Sequence, residues 1–122
     1  MNMLIFITAL IAVESGGNIN AVGDTHLRNK AYGLAQIRQP YLDDVNRIAG
    51  TAYTLQEVAS SRALTAWTVT RYVRHYGERY TRITGLPLTY EIASRIHNGG
   101  PDGWRKSSTI PHWRKMQAII QN

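Results

Sequence analysis

Cysteine is absent from the 122 residues, so no disulfide can staple the fold and no thiolate can serve as metal ligand or nucleophile. That absence fits a protein made in a reducing cytoplasm, as a bacterial or phage product would be. Acids are scarce. There are eight Asp and Glu against fourteen Lys and Arg, a net charge of +6. Chemistry that needs two carboxylates has few to draw on, while the basic excess attracts polyanions without choosing among nucleic acid, anionic membrane and anionic cell-envelope polymers. Long apolar runs are also missing, and the longest falls well short of the ~20 residues a membrane span needs. No glycine-rich loop leads to Lys-Ser/Thr, and no dinucleotide fingerprint follows a strand. The four histidines (His26, His75, His97 and His112) are scattered, none at ligand spacing from another, so neither metal nor cofactor is expected. What remains is 43% apolar and 18% charged, the balance of a globular chain with one core, read as a single domain over 1–122.

The stretch with most information starts at the N-terminus. Leu4-Ile5-Phe6-Ile7-Thr8-Ala9-Leu10-Ile11-Ala12-Val13 is long enough for a helix, and it ends on Glu14 and Ser15 before Gly16-Gly17, a stop signal. A signal peptide is not recognised: no basic segment precedes the apolar run, and no small-residue cleavage site follows it. Glu14 would stand in the last turn, where apolar neighbours and the negative helix end both disfavour the anion. A carboxyl held protonated near neutral pH is what a general acid requires. Taken alone, Glu14 also fits an ordinary polar helix end facing water. The residues after it decide.

Gly16 to Gly33 is a glycine- and asparagine-rich loop with room for a short hairpin, and it contains Asp24 after Gly23. Pro40 opens the next helix, with Tyr41, Val45, Ile48 and Ala49 as its core stripe and Gly50 as its stop. Thr54 and Glu57 fit a capping box, and the helix they start runs to about Tyr76 with Ala63, Ala66, Trp67, Thr70, Val73 and Tyr76 on its apolar face, Gly77 then either breaking it or only pausing it before Glu78-Arg79-Tyr80-Thr81-Arg82. Arg71, Arg74, His75, Arg79 and Arg82 alternate there with Tyr72, Tyr76 and Tyr80, a pattern that suits nucleic acid if the rings face out. Helical spacing instead turns the tyrosines to the core and leaves a solvated basic face, so no nucleic-acid partner is expected. Gly85-Leu86-Pro87 is a turn, Thr89 caps a short helix stopping at Asn98-Gly99-Gly100, Trp104 lies in a loop, and a last helix starts near Pro111.

Glu14-Ser15-Gly16-Gly17, then Gly33-Leu34-Ala35-Gln36-Ile37, then His97-Asn98-Gly99-Gly100-Pro101 resemble the motifs of the lysozyme-like superfamily. The match runs over roughly residues 10 to 116 and is closer to the invertebrate-type (destabilase-like) lysozymes than to the lytic transglycosylases. Ala35 stands where the transglycosylase motif has Met, and Leu42 where the invertebrate type has Trp. The resemblance implies a mainly α, lysozyme-like single domain with a glycine-rich loop or short β-hairpin after the first helix. It also implies a muramidase cleaving the bond between N-acetylmuramic acid and N-acetylglucosamine in peptidoglycan strands, acting at the cell wall or periplasm.

By the same resemblance Glu14 is the general acid and Asp24 the second carboxylate, although the loop between them is shorter here. This is lysozyme's own chemistry, borrowed from the family the chain resembles: about 5 Å between the carboxyls suits a covalent route, and about 6.5–9.5 Å an activated water. Asp24 beside Gly23 reads equally as a turn residue. Gln36, in an apolar segment, needs a partner and is implied to bind sugar or orient the acid. Ser15, Tyr32 and Gly33 join it as substrate-binding residues, with His97, Asn98 and Gly99 as the opposite wall. Tyr32 is placed to stack on a sugar or simply to pack, and Asn98-Gly99 fits a helix cap as well. Tyr90 is the nearest match to the late tyrosine of the transglycosylases. In that alternative Glu14 is the sole acid/base and the product is a 1,6-anhydro sugar.

Overall fold

The structure is a computed structural model and describes residues 1–120. It contains six α-helices and one two-stranded antiparallel sheet among those residues. The chain divides into two compact units, one built from 1–10 and 73–122, the other from 11–72.

The first helix, α1 (Met3–Ser15), begins where the Asn2 side chain accepts the Ile5 N–H and ends at Gly16 and Gly17, both at positive φ. Its apolar run is not buried all round. Phe6, Ile7 and Leu10 are covered, while Leu4 and Ile5 stay exposed. A helix repeats its face at three- and four-residue steps, so Leu10 plus four places Glu14 on the covered stripe, and Glu14 is half-buried.

In the 11–72 unit, β1 (Val22–Gly23) pairs with β2 (Ala31–Tyr32), Val22 opposite Tyr32 and Gly23 opposite Ala31. The expected hairpin is therefore present but short. Helix α2 (Gln39–Ala49) starts with Pro40 in its first turn and ends on left-handed Gly50. Val45 is buried as expected and Leu42 joins it, whereas Tyr41, Ile48 and Ala49 are only partly covered. The capping box at Thr54 and Glu57 forms as read, but the helix it opens, α3 (Leu55–Ala59), ends after five residues. Ser61 then caps a new helix by accepting the Leu64 N–H, and α4 (Arg62–Thr84) continues past Gly77. The one helix expected from Thr54 is therefore two, and of the two courses open at Gly77, a break or a mere pause, the helix runs on. Ser60 closes α3 and Ser61 opens α4, and within α4 Gly77 leaves room for the Leu88 side chain, which a Cβ there would meet at 2.8 Å.

In the other unit, α5 (Tyr90–Gly99) is capped by Thr89, whose hydroxyl accepts the Ile92 N–H, and ends at Gly100. Trp104 lies in a 3-10 turn over Gly103–Arg105, and α6 (Ile110–Ile120) buries Met116. Gly103 presses so closely on α5 that a Cβ would lie 1.9 Å from the Arg95 carbonyl oxygen. No helix among the described residues is long and apolar enough to cross a membrane.

Candidate active site

Glu14, Ser15, Asp24, Tyr32, Gly33 and Gln36 all fall within the 11–72 unit. The Ser15 hydroxyl donates to the Ile11 carbonyl and accepts the Gly17 N–H, which shapes the turn leaving α1. Tyr41 is near enough for the Glu14 charge to act on it. Burial first, then the neighbouring Tyr72, then Glu14 hold the Tyr41 phenol well above its usual value, although part of the side chain is open to solvent. The Tyr41 and Tyr72 rings stack with centroids 3.7 Å apart. Sequence reading placed Tyr41 in a core stripe and missed this proximity, because it depends on how α2 meets the end of α1.

The Gly33-to-Ile37 motif is a tight turn. Tyr32 and Ile37 exchange backbone hydrogen bonds across it, the Gln36 N–H donates to the Gly33 carbonyl, and Gly33 and Gln36 both have positive φ. Gly33 also packs against Ala59, where a Cβ would come within 3.0 Å of the carbonyl oxygen. The Gln36 amide has the partners it needs: Nε2 donates to the carbonyls of Ala21 (3.2 Å) and Gly33 (3.1 Å). Its Oε1 occupies the space above Gly23, 2.2 Å from where a Cβ would be. The side chain thus fastens the strand that leads into Asp24.

Asp24 follows that strand at φ 51, its carbonyl accepts the Leu27 N–H, and its carboxylate is paired with Arg38. Arg38 is the residue that sequence reading missed altogether. Its only signal is a position two residues after Gln36. Beside this turn a cavity of about 430 Å³ is lined by Tyr32 and Gly33 together with Ile19, Val22, Leu55 and Ala59. Neither Glu14 nor Asp24 is among the residues that line it.

The late motif belongs to the other unit. His97 is buried and Asn98 exposed at the end of α5, and the Gly99 carbonyl accepts from Lys106 Nζ at 2.9 Å. A Cβ on Gly99 would meet the Thr109 methyl at 2.4 Å, so glycine serves packing there. The Tyr90 hydroxyl accepts the Asn2 N–H at the start of α1. The His97 and His112 rings, fifteen residues apart in sequence, come to 6.3 Å between centroids, and Ser94 Oγ lies 2.7 Å from His112 Nδ1. Sequence spacing gave no hint of this histidine pair. Among the described residues no group of three or more His, Asp or Glu is arranged to hold a metal ion.

Six helices, a small hairpin and a carboxylate closing the first helix define a lysozyme-like domain. The transglycosylase SLT domain model matches residues 2–93, and the chain belongs to that family. It is 36% identical over 87 residues to a lysozyme of Meretrix lusoria, 71% of this chain but less than two thirds (66%) of the relative's length. An invertebrate-type lysozyme of Ruditapes philippinarum is 28% identical over 107 residues, 88% of this chain and 74% of the relative. Among solved structures, a chain in the crystal structure of Aeromonas hydrophila PliI in complex with Meretrix lusoria lysozyme superposes with a TM-score of 0.78 at 28% identity, covering 94% of this chain and 88% of that one.

Proposed function

We propose that the 122 residues act as one muramidase domain that hydrolyses the bond between N-acetylmuramic acid and N-acetylglucosamine in peptidoglycan. The observation that carries this reading is Glu14, which continues the covered stripe of α1 into its last turn and faces the Tyr41 side, in the same unit as Asp24. Glu14 donates its proton to the glycosidic oxygen. Asp24, kept charged by Arg38, meets the positive centre that forms on the sugar, directly or through water. Tyr32, Gly33 and Gln36 border the sugar, Gln36 by fixing the turn. Ser15 sets the exit of α1, and the roles of Tyr90, His97, Asn98 and Gly99 in sugar binding rest on the motif match alone. The basic surface attracts the anionic polymers of the envelope, and the site of action is the cell wall. Release of labelled fragments from purified sacculi tests this: Glu14→Gln should lower the rate about 10²–10⁴-fold with the fold intact, and a Glu14→Gln protein as fast as wild type would refute it.

The family model favours a second reading, lytic transglycosylation, in which Glu14 works alone and the muramic 6-hydroxyl closes a 1,6-anhydro ring. Asp24→Asn separates the two, because it slows hydrolysis and leaves transglycosylation nearly unchanged.

A further inference from the structure

We propose that Arg38 is a positioning residue for Asp24, acting with Gln36 as a clamp that keeps the second carboxylate ionised and in one orientation. The proposal rests on the glycosidase reading above. Its first ground is backbone cost. Asp24 and Gln36, at φ 51 and 54, are the non-glycine residues with positive φ among those described. Such conformations persist only where their surroundings over-determine them, and they collect at functional sites. Here the surroundings are the clamp itself. Gln36 holds the Ala21 and Gly33 carbonyls and fills the space over Gly23, next to Asp24, and Arg38 holds the Asp24 carboxylate.

The second ground is that stability does not account for the arrangement. The Arg38 and Asp24 side chains are 41% and 37% exposed, and a pair so open to water adds little. Arg38 Nε, meanwhile, is buried with no hydrogen bond among the described residues, which costs. Two left-handed residues and an orphaned donor are therefore maintained for one half-exposed ion pair. A nearby cation favours the charged carboxylate, which is the state Asp24 must keep while Glu14 keeps its proton. The other charged groups of the hairpin loop, His26, Arg28 and Lys30, are exposed, and the ion pair that Asp24 makes is with Arg38.

The test is steady-state kinetics of the whole chain on labelled sacculi across the acid limb of its pH profile. Arg38→Gln should lower kcat about 10- to 100-fold with little change in KM, and move the acid limb to higher pH. Arg38→Lys should restore the acid limb but only part of kcat, because an ammonium is a point charge without the guanidinium fork. Adding Arg38→Gln to Asp24→Asn should cost nothing more than Asp24→Asn alone, a coupling that a merely structural residue would not show. Wild-type kcat and acid limb in Arg38→Gln, or losses that simply add, overturn the clamp. Glu14→Gln is measured in parallel. If it is inactive while Arg38→Gln behaves as wild type, the clamp alone fails, and if it is fully active, the glycosidase reading fails and takes the clamp with it.

Discussion

Gly33 carries two demands at one position: φ of +79 and the backbone of Ala59 within 3.0–3.2 Å of any added Cβ. A left-handed alanine costs roughly 1–2 kcal/mol and crowding against rigid backbone about as much again. Gly33→Ala should therefore lose about 2–4 kcal/mol in denaturant unfolding and most of its activity, since the same turn carries Gln36; a loss under half a kcal/mol would mean the turn is softer than its geometry implies. Glu14 shows how far single residues could be read in advance. Its place on the covered stripe follows from counting four on from Leu10, which needs only a helical period. Asp24 could be named but not explained. The Arg38 partner and the two left-handed backbones arise from a fourteen-residue closure that no local pattern encodes. The Gln36 amide was correctly expected to need partners, but it spends its hydrogens on the main chain of its own unit.

Caps were the most legible features at the scale of elements, because each is a local hydrogen bond between residues three apart. Thr54 accepts the Glu57 N–H at 3.1 Å while Glu57 accepts the Thr54 N–H at 2.9 Å, and that N–H first, then the Thr54 hydroxyl, hold the Glu57 carboxyl below its usual range. Thr54→Ala should cost about 1 kcal/mol of stability, read from the urea midpoint. A depressed carboxyl pKa stabilises above its unfolded value and loses that contribution as pH falls through the folded one, so the share of the cost that comes from the Thr54 hydroxyl acting on Glu57 should shrink in acid, while the backbone N–H bond survives in the variant. A Thr54→Ala midpoint equal to wild type at neutral pH would show the cap is frayed in solution. The break after Ala59 was hidden because Ser60-Ser61 interrupts an otherwise helical spacing, and only the Ser61–Leu64 bond reveals it. The apolar face of α4 holds at Val73 and Tyr76, which are buried as expected, but is displaced near its start. Thr65, Thr68 and Val69 are buried and Ala63 is exposed, since the threonine hydroxyls satisfy themselves on Val58 and Leu64 carbonyls and can enter the core.

For the whole molecule, the lysozyme-like architecture follows from motif spacing carried across most of the chain, while the division into two units has no mark in composition. Charge behaves as the helical period requires. Tyr72, Tyr76 and Tyr80 are buried and Arg71, Arg74 and Arg82 exposed, so the tyrosines that alternate with these arginines in sequence turn to the core. Tyr41 links the candidate site to global stability. Its phenol is raised by burial, then Tyr72, then Glu14, so the folded state favours the protonated form. That contribution is complete below the unfolded tyrosine value of about 10 and is lost as pH rises toward the folded value. Stability should therefore fall above about pH 10, and Tyr41→Phe should flatten that fall; an unchanged alkaline slope in Tyr41→Phe would contradict the assignment.

The central claim, a protonated Glu14 working with an ionised Asp24 on a glycan, is tested most directly by mass spectrometry of the fragments released from purified sacculi. The account predicts muropeptides ending in reducing N-acetylmuramic acid, each carrying one added water, from wild type, and their release slowed about 10²–10⁴-fold in Glu14→Gln. Fragments lighter by one water, with the anhydro ring, would contradict hydrolysis, and reducing fragments released equally by Glu14→Gln would contradict the acid itself.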